Sequence, residues 1–201
     1  MITTGEGGRE LPNIENNVVL TVVGSGTLVP DPMRSTSSNL LVWAGRRYLI
    51  DVGFGTLAAL TRMGIHPTSI HTVFLTHFHP DHIADLIPLL FTRNYTADVF
   101  VKKLSIYGPV GLSEFINQMT SAYGEWLTEM IGSSVSVFEL KAEHFKIDGT
   151  DIQTMRVNHA PVSLGYRFEF PTGVIAFTGD TGYCLNAAAL CCRADIAIME
   201  I

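Results

Sequence analysis

The sequence predicts an α+β fold, two mixed sheets packed face to face with helices outside. Three observations predict it. Apolar, β-branched strands come in adjacent groups rather than singly, and helices follow the first and second groups. No composition shift or Pro/Ser-rich linker divides the 201 residues, so both groups belong to one domain, expected over residues 18–201. Hydrophobic residues make up 47% and charged residues 16%, a balance that suits a buried core rather than a disordered chain.

Taken in order, residues 1–17 read as a flexible tail. Val18 to Val23 is a strand that ends in Gly24-Ser25-Gly26, followed by a polar loop with Pro30, Pro32 and the run Ser35 to Ser38. Leu40 to Trp43 and Tyr48 to Val52 form a hairpin around Ala44-Gly45. Thr56 to Met63 suits a helix stopped by Gly64, Thr72 to Thr76 a short buried strand, and Asp81 to about Phe91 a second helix. Leu104 to Tyr107 is a strand, Leu112 to Met130 one helix, and Val135 to Leu140 a strand. Phe145 to Ile147 and Ile152 to Val157 flank the turn signal Asp148-Gly149; Ser163 to Phe170 and Val174 to Phe177 flank Pro171-Thr172-Gly173. Asn186 to Cys192 is helical and Asp195 to Glu200 a strand.

Charge and composition exclude several classes. A net charge of −6 leaves no electrostatic footprint for non-specific nucleic-acid binding, and Arg46-Arg47 and Lys102-Lys103 are short surface pairs. No apolar run reaches the roughly 18–20 residues of a membrane span, and the first 17 residues lack the basic and apolar regions of a signal peptide. A cytoplasmic protein without membrane contact is the expectation. Cys184, Cys191 and Cys192 are odd in number and unspaced, which fits free thiols; the adjacent pair is expected to pack inside a helix.

The chemistry is concentrated in Thr76-His77-Phe78-His79-Pro80-Asp81-His82. Imidazole nitrogen and carboxylate oxygen are ligands for zinc and similar divalent ions. In an extended segment residues two apart point the same way, so His77 and His79 can reach one ion, while Asp81 and His82 face a second. His159 and Asp180 each follow a predicted strand and complete a two-metal set in which Asp180 bridges. His66, His71 and His144 read as surface or capping residues. The hydroxyls of Ser35 to Ser38 read as a loop that could also meet an anionic substrate group.

The run His-x-His-x-Asp-His, a later His and Gly179-Asp180-Thr181 resemble the metallo-β-lactamase superfamily. Gly24 to Ser38, Leu49 to Gly53, Ile106 to Pro109, Gly165 to Arg167 and Ala194 to Glu200 resemble its ribonuclease Z and arylsulfatase-like branch. The resemblance spans residues 18–201 and implies an αβ/βα four-layer sandwich with two divalent ions at one edge, zinc first and manganese or iron as alternatives. It assigns His77, His79 and His159 to one ion and Asp81, His82 and bridging Asp180 to the other. Asp81 would orient or deprotonate the attacking water, and Asp51 would hydrogen-bond within the ligand loop.

Two departures from that pattern matter. The family carries a further His motif and a final ligand His beyond the equivalent of Glu200, so the chain is expected to be a piece lacking its C-terminal part. Its second site would then be the weaker, with His144 the substitute to look for, and an unfinished sheet edge would favour self-association as a homodimer. Only Arg167 to Thr178 separate Tyr166 from Gly179, where many ribonuclease Z members insert a tRNA-grasping arm. The function expected is therefore hydrolysis of phosphodiesters or related small anionic esters by a metal-activated water. A tRNA 3′-processing endonuclease and a catalytically silent metal-binding protein are the alternatives.

Overall fold

Side-chain alternation decides the layers, because successive residues of a strand face opposite ways. Leu40, Leu49 and Val73 point into a core shared with helices, while their neighbours Leu41, Tyr48, Ile50 and Phe74 point into a core shared with a second sheet. The computed structural model describes residues 17–29, 31–96, 100–101 and 103–200. Its first sheet runs β1 (Val19–Gly24), β2 (Ser38–Trp43), β3 (Arg46–Ile50), β4 (Thr72–Phe74), β5 (Leu104–Pro109) and β6 (Val135–Leu140), in that spatial order. Pairing is antiparallel from β1 to β3 and parallel from β3 to β6.

The second sheet is ordered β11 (Ile196–Glu200), β10 (Gly173–Asp180), β9 (Leu164–Phe170), β8 (Thr150–Arg156) and β7 (His144–Ile147). It is antiparallel except for the parallel pair β10–β11. Helices α1 (Thr56–Arg62), α2 (Pro80–Ile83), α3 (Leu86–Tyr95), α4 (Leu112–Tyr123) and α5 (Glu125–Met130) belong with the first sheet, while α6 (Leu185–Cys191) packs on β8, β9 and β10. Between the sheets an aromatic cluster centres on Phe74, which meets Tyr48, Tyr107, Tyr166 and Phe168. The two mixed sheets with flanking helices are the architecture expected from the sequence.

Several element boundaries differ from the sequence expectation, each for a local reason. The helix expected from Asp81 to Phe91 starts one residue earlier, with Pro80 in its first turn, and breaks at Ala84 and Asp85. Asp85 accepts a hydrogen bond from Leu57 N at the start of α1, and α3 then continues to Tyr95. The helix expected over Leu112 to Met130 is two, α4 and α5, because the chain turns at Gly124 with φ 97°. Cys191 and Cys192 are not core residues: Cys191 is half-buried and Cys192 exposed. Helix α6 buries only Ala187 and Leu190, and the turn of the helix carries its last residues away from that face. Residues 1–16 of the expected tail, and Ile201, lie outside the described residues.

No helix among the described residues is long and apolar enough to cross a membrane. Strands β3, β4, β8, β10 and β11 all deliver their C-terminal ends to one end of the sandwich. Asp51, the run from Thr76 to His82, His159, Asp180 and Glu200 are collected there.

Candidate metal centre

The local fold explains how each donor is aimed. Leaving β4, the chain runs through His77 to His79, which is extended with φ −67° and ψ 147° before α2 begins at Pro80. His77 and His79 therefore converge, with His77 Nε2 3.0 Å from His79 Nδ1. His159 arrives from the other sheet, its Nε2 2.9 Å from the same His79 Nδ1 and 3.5 Å from Asp180 Oδ2. These four side chains form one donor group, and Asp81, His82 and Asp180 form a second. Every donor atom within a group lies within 4.8 Å of the others, and Asp180 belongs to both. The six residues named from the sequence as ligands thus meet in space in the expected partition.

Burial differs between the groups. His77 and His82 are fully buried, whereas His79 and His159 are exposed, so the site opens to solvent on the side of the latter pair. Burial, reinforced by neighbouring His82, lowers the His77 pKa to about 3 and keeps its imidazole neutral. Burial acts on His82 in the same sense, but the carboxylates of Asp51, Asp180 and Glu200 overcome it and raise its pKa to about 11. Contact with His82 in turn holds the Asp180 carboxyl down at about 2 against the effect of burial.

His82 Nε2 supplies the test of whether divalent ions fit. It is buried and 3.2 Å from Asp180 Oδ1, yet it lies off the line of a hydrogen bond and has no hydrogen-bond partner. Buried polar atoms are rarely left so. An imidazole nitrogen facing carboxylates at 3.2 to 3.9 Å is, once it gives up its proton, the donor set a small divalent cation requires. Asp51 accounts for the rest of His82, accepting from its Nδ1 at 2.8 Å, and also accepts from Thr76 N and Oγ1 at 2.8 Å each. Asp51 thus stands behind the candidate donors His77 and His82.

Several residues at the site were not singled out from sequence. Glu200 stands with Oε2 3.8 Å from His82 Nε2 and takes a 2.7 Å hydrogen bond from Ser37 Oγ. Burial raises its pKa against the pull of Ser37 and His82. Its place follows from the parallel register Asp180↔Glu200, which single-strand patterns do not carry. Gly53 sits so close to the ligand loop that a Cβ there would fall 1.9 Å from Asp81 O and 2.1 Å from Thr36 Oγ1. In the run Ser35 to Ser38, the Ser35, Ser37 and Ser38 hydroxyls donate to Gly55 O, Glu200 Oε1 and Asp51 O, and Thr36 Oγ1 is buried with no hydrogen-bond partner. His144 is no substitute ligand: it lies on β7 beside Asp151, largely exposed. His66 caps a turn at Thr68 N, and His71 accepts from Arg47 N, as surface and capping residues do.

Fold and donor set together define a metallo-β-lactamase-fold metal-dependent hydrolase related to ribonuclease Z. A family model described as "Anti-Pycsar protein Apyc1" matches residues 18–199, and the chain belongs to that family. It is also similar to ribonuclease Z of Mycobacterium sp. (strain KMS), 31% identical over 192 residues, covering 90% of this chain and 67% of that enzyme. Among solved structures, the metallo-β-lactamase fold protein YhfI from Bacillus subtilis superposes with a TM-score of 0.76 at 21% identity, over 90% of this chain and 70% of that one. The short form of human tRNase Z gives 0.71 at 25% identity, over 89% and 75%.

Proposed function

We propose that this chain hydrolyses phosphodiesters or related small anionic esters with two divalent cations, zinc foremost. The supporting observation is the pair of donor groups joined by Asp180, with the unpartnered His82 Nε2 facing into the second. His77, His79, His159 and Asp180 would hold one cation, and Asp81, His82 and Asp180 the other. Two such cations acidify water and stabilise charge on the attacked centre. The chain's own residues do the rest. Asp81, only partly buried, would orient the attacking water and accept its proton. Asp51, accepting from His82 Nδ1, would leave the Nε2 lone pair of His82 for the second cation once its proton is displaced.

The surroundings support a small substrate. A cleft of about 300 Å³ opens at the site itself, lined by Asp81, Asp180 and Glu200 together with Gly24, Gly26 and Asn39. A cleft of that size suits a small ester. Strands β9 and β10 are joined by the two-residue turn Pro171-Thr172, where a tRNA-grasping arm would otherwise branch. The second reading, tRNA 3′ processing, is favoured by the 31% identity to ribonuclease Z. Metal analysis combined with assays on bis(p-nitrophenyl) phosphate, an aryl sulfate and a precursor tRNA separates these readings. Turnover of the phosphodiester, lost in His77→Ala together with bound metal, is expected. Full activity and unchanged metal content in His77→Ala would refute the two-cation site, and cleavage of precursor tRNA alone would select the second reading.

A further inference from the structure

We propose that Thr76 is a positioning residue that fixes which nitrogen of His77 is free to bind a cation, and that it links the two cation sites through Asp51. The inference rests on the two-cation reading above. Thr76 is 1% exposed, at the exit of β4, and its hydroxyl lies 2.8 Å from Asp51 Oδ2 and 3.0 Å from His77 Nδ1. A hydroxyl has a single proton to give, and an ionised carboxylate can only accept. Thr76 Oγ1 therefore donates to Asp51, and what it offers His77 is a lone pair. His77 Nδ1 must carry the proton, which leaves Nε2, the nitrogen facing His79 and His159, as the free donor.

The same carboxylate does this directly for the other site, since Asp51 Oδ2 accepts from His82 Nδ1 at 2.8 Å. One chain of hydrogen bonds, His77–Thr76–Asp51–His82, thus sets the tautomer of one buried imidazole in each donor group. Three further contacts hold Thr76 in place. Its N donates to Asp51 Oδ1, and its O accepts from Leu164 N at 2.9 Å, the first residue of β9 on the opposite sheet. Its side chain is clamped by Gly179, where φ is +57° and an added Cβ would lie 2.7 Å from Thr76 Cβ. Gly179 precedes the shared ligand Asp180, so Thr76 touches the loops that supply ligands from both sheets.

The test uses the whole chain as wild type, Thr76→Val and Thr76→Ser. Long-range ¹H–¹⁵N correlation spectra of the metal-free proteins read the His77 tautomer, and competition titration with zinc reads affinity. Wild type and Thr76→Ser are expected to show His77 protonated at Nδ1. Thr76→Val, the same shape without the hydroxyl, should shift His77 toward the Nε2-protonated form and bind the tighter zinc 10- to 100-fold more weakly. A purely structural role would not move the tautomer, and serine would not restore it. An Nε2-protonated His77 in wild type overturns the proposal even if the valine variant fails to fold. So does an unchanged tautomer and affinity in Thr76→Val while wild type binds zinc normally. No zinc uptake by wild type would refute the two-cation reading itself, and this inference with it.

Discussion

Asp180 and His82 carry opposite pKa shifts: Asp51, with Asp180 and Glu200, raises His82 against its burial, and His82 lowers Asp180. With no ion bound, the His82 pKa of about 11 makes it an imidazolium at neutral pH. That value lies above the ordinary 6.5, so the contribution to metal-free stability is fully present below about pH 6.5 and is lost as pH rises through about 11. An ion that takes His82 Nε2 must expel this proton. Loading the second site at pH 8 should release about one proton per ion, readable by titration calorimetry in buffers of different ionisation enthalpy. Absence of release would show that His82 is not a ligand. Asp180→Asn is expected to lose the second ion and nearly all turnover, because an amide cannot bridge two cations as a carboxylate can. Metal analysis showing two retained ions would contradict this. The candidate donor residues were legible in the sequence because four of the six lie within Thr76 to His82 and announce their chemistry by proximity. Thr76, Ser37 and Glu200 were not, since a hydroxyl or carboxylate gains meaning only from partners brought close by the fold; Ser37 and Glu200 are 163 positions apart.

At the level of elements, the ligand loops are held by close approach rather than by long helices. Gly53 is pressed between the Asp81 backbone and Thr36, so Gly53→Ala must push the ligand loop outward. A loss of about 1–3 kcal/mol in urea unfolding, with weaker zinc binding, is the expected outcome; a variant of wild-type stability and affinity would show that the loop gives freely. Helix α4 is anchored differently: Glu139 accepts from Gly111 N and Ser113 N, and these bonds hold its carboxyl below the ordinary value of 4.5. A lowered carboxylate stabilises above its unfolded pKa and loses that effect as pH falls through the folded one. Glu139→Gln should therefore lower the melting temperature slightly at pH 7, and the difference from wild type should vanish below about pH 4. A difference that persists at pH 3 would assign the effect to packing. Strands and hairpin turns were readable from alternation and from pairs such as Asp148-Gly149, both in left-handed backbone. The breaks at Asp85 and Gly124 were not, because apolar periodicity runs on through them.

For the whole molecule, the layered order followed from grouping of strands, but which sheet each strand joins depends on register and on aromatic packing between the sheets. Phe74 is fully buried at the centre of that packing. Phe74→Ala should cost about 3–5 kcal/mol, measured by denaturant unfolding, and a loss below 1 kcal/mol would mean that the cavity collapses. The donors are divided between the sheets: His77, His79, Asp81 and His82 hang from the first, His159 and Asp180 from the second. A bound ion is then a fastener between two halves, and its grip depends on supply. At free zinc a hundredfold above the dissociation constant, one ion adds about 2.7 kcal/mol to the folded state. Melting temperature becomes a gauge of ambient zinc, and scarcity should unzip the sandwich from the ligand end, with faster amide exchange at Leu164 and Thr181 before the aromatic centre loosens.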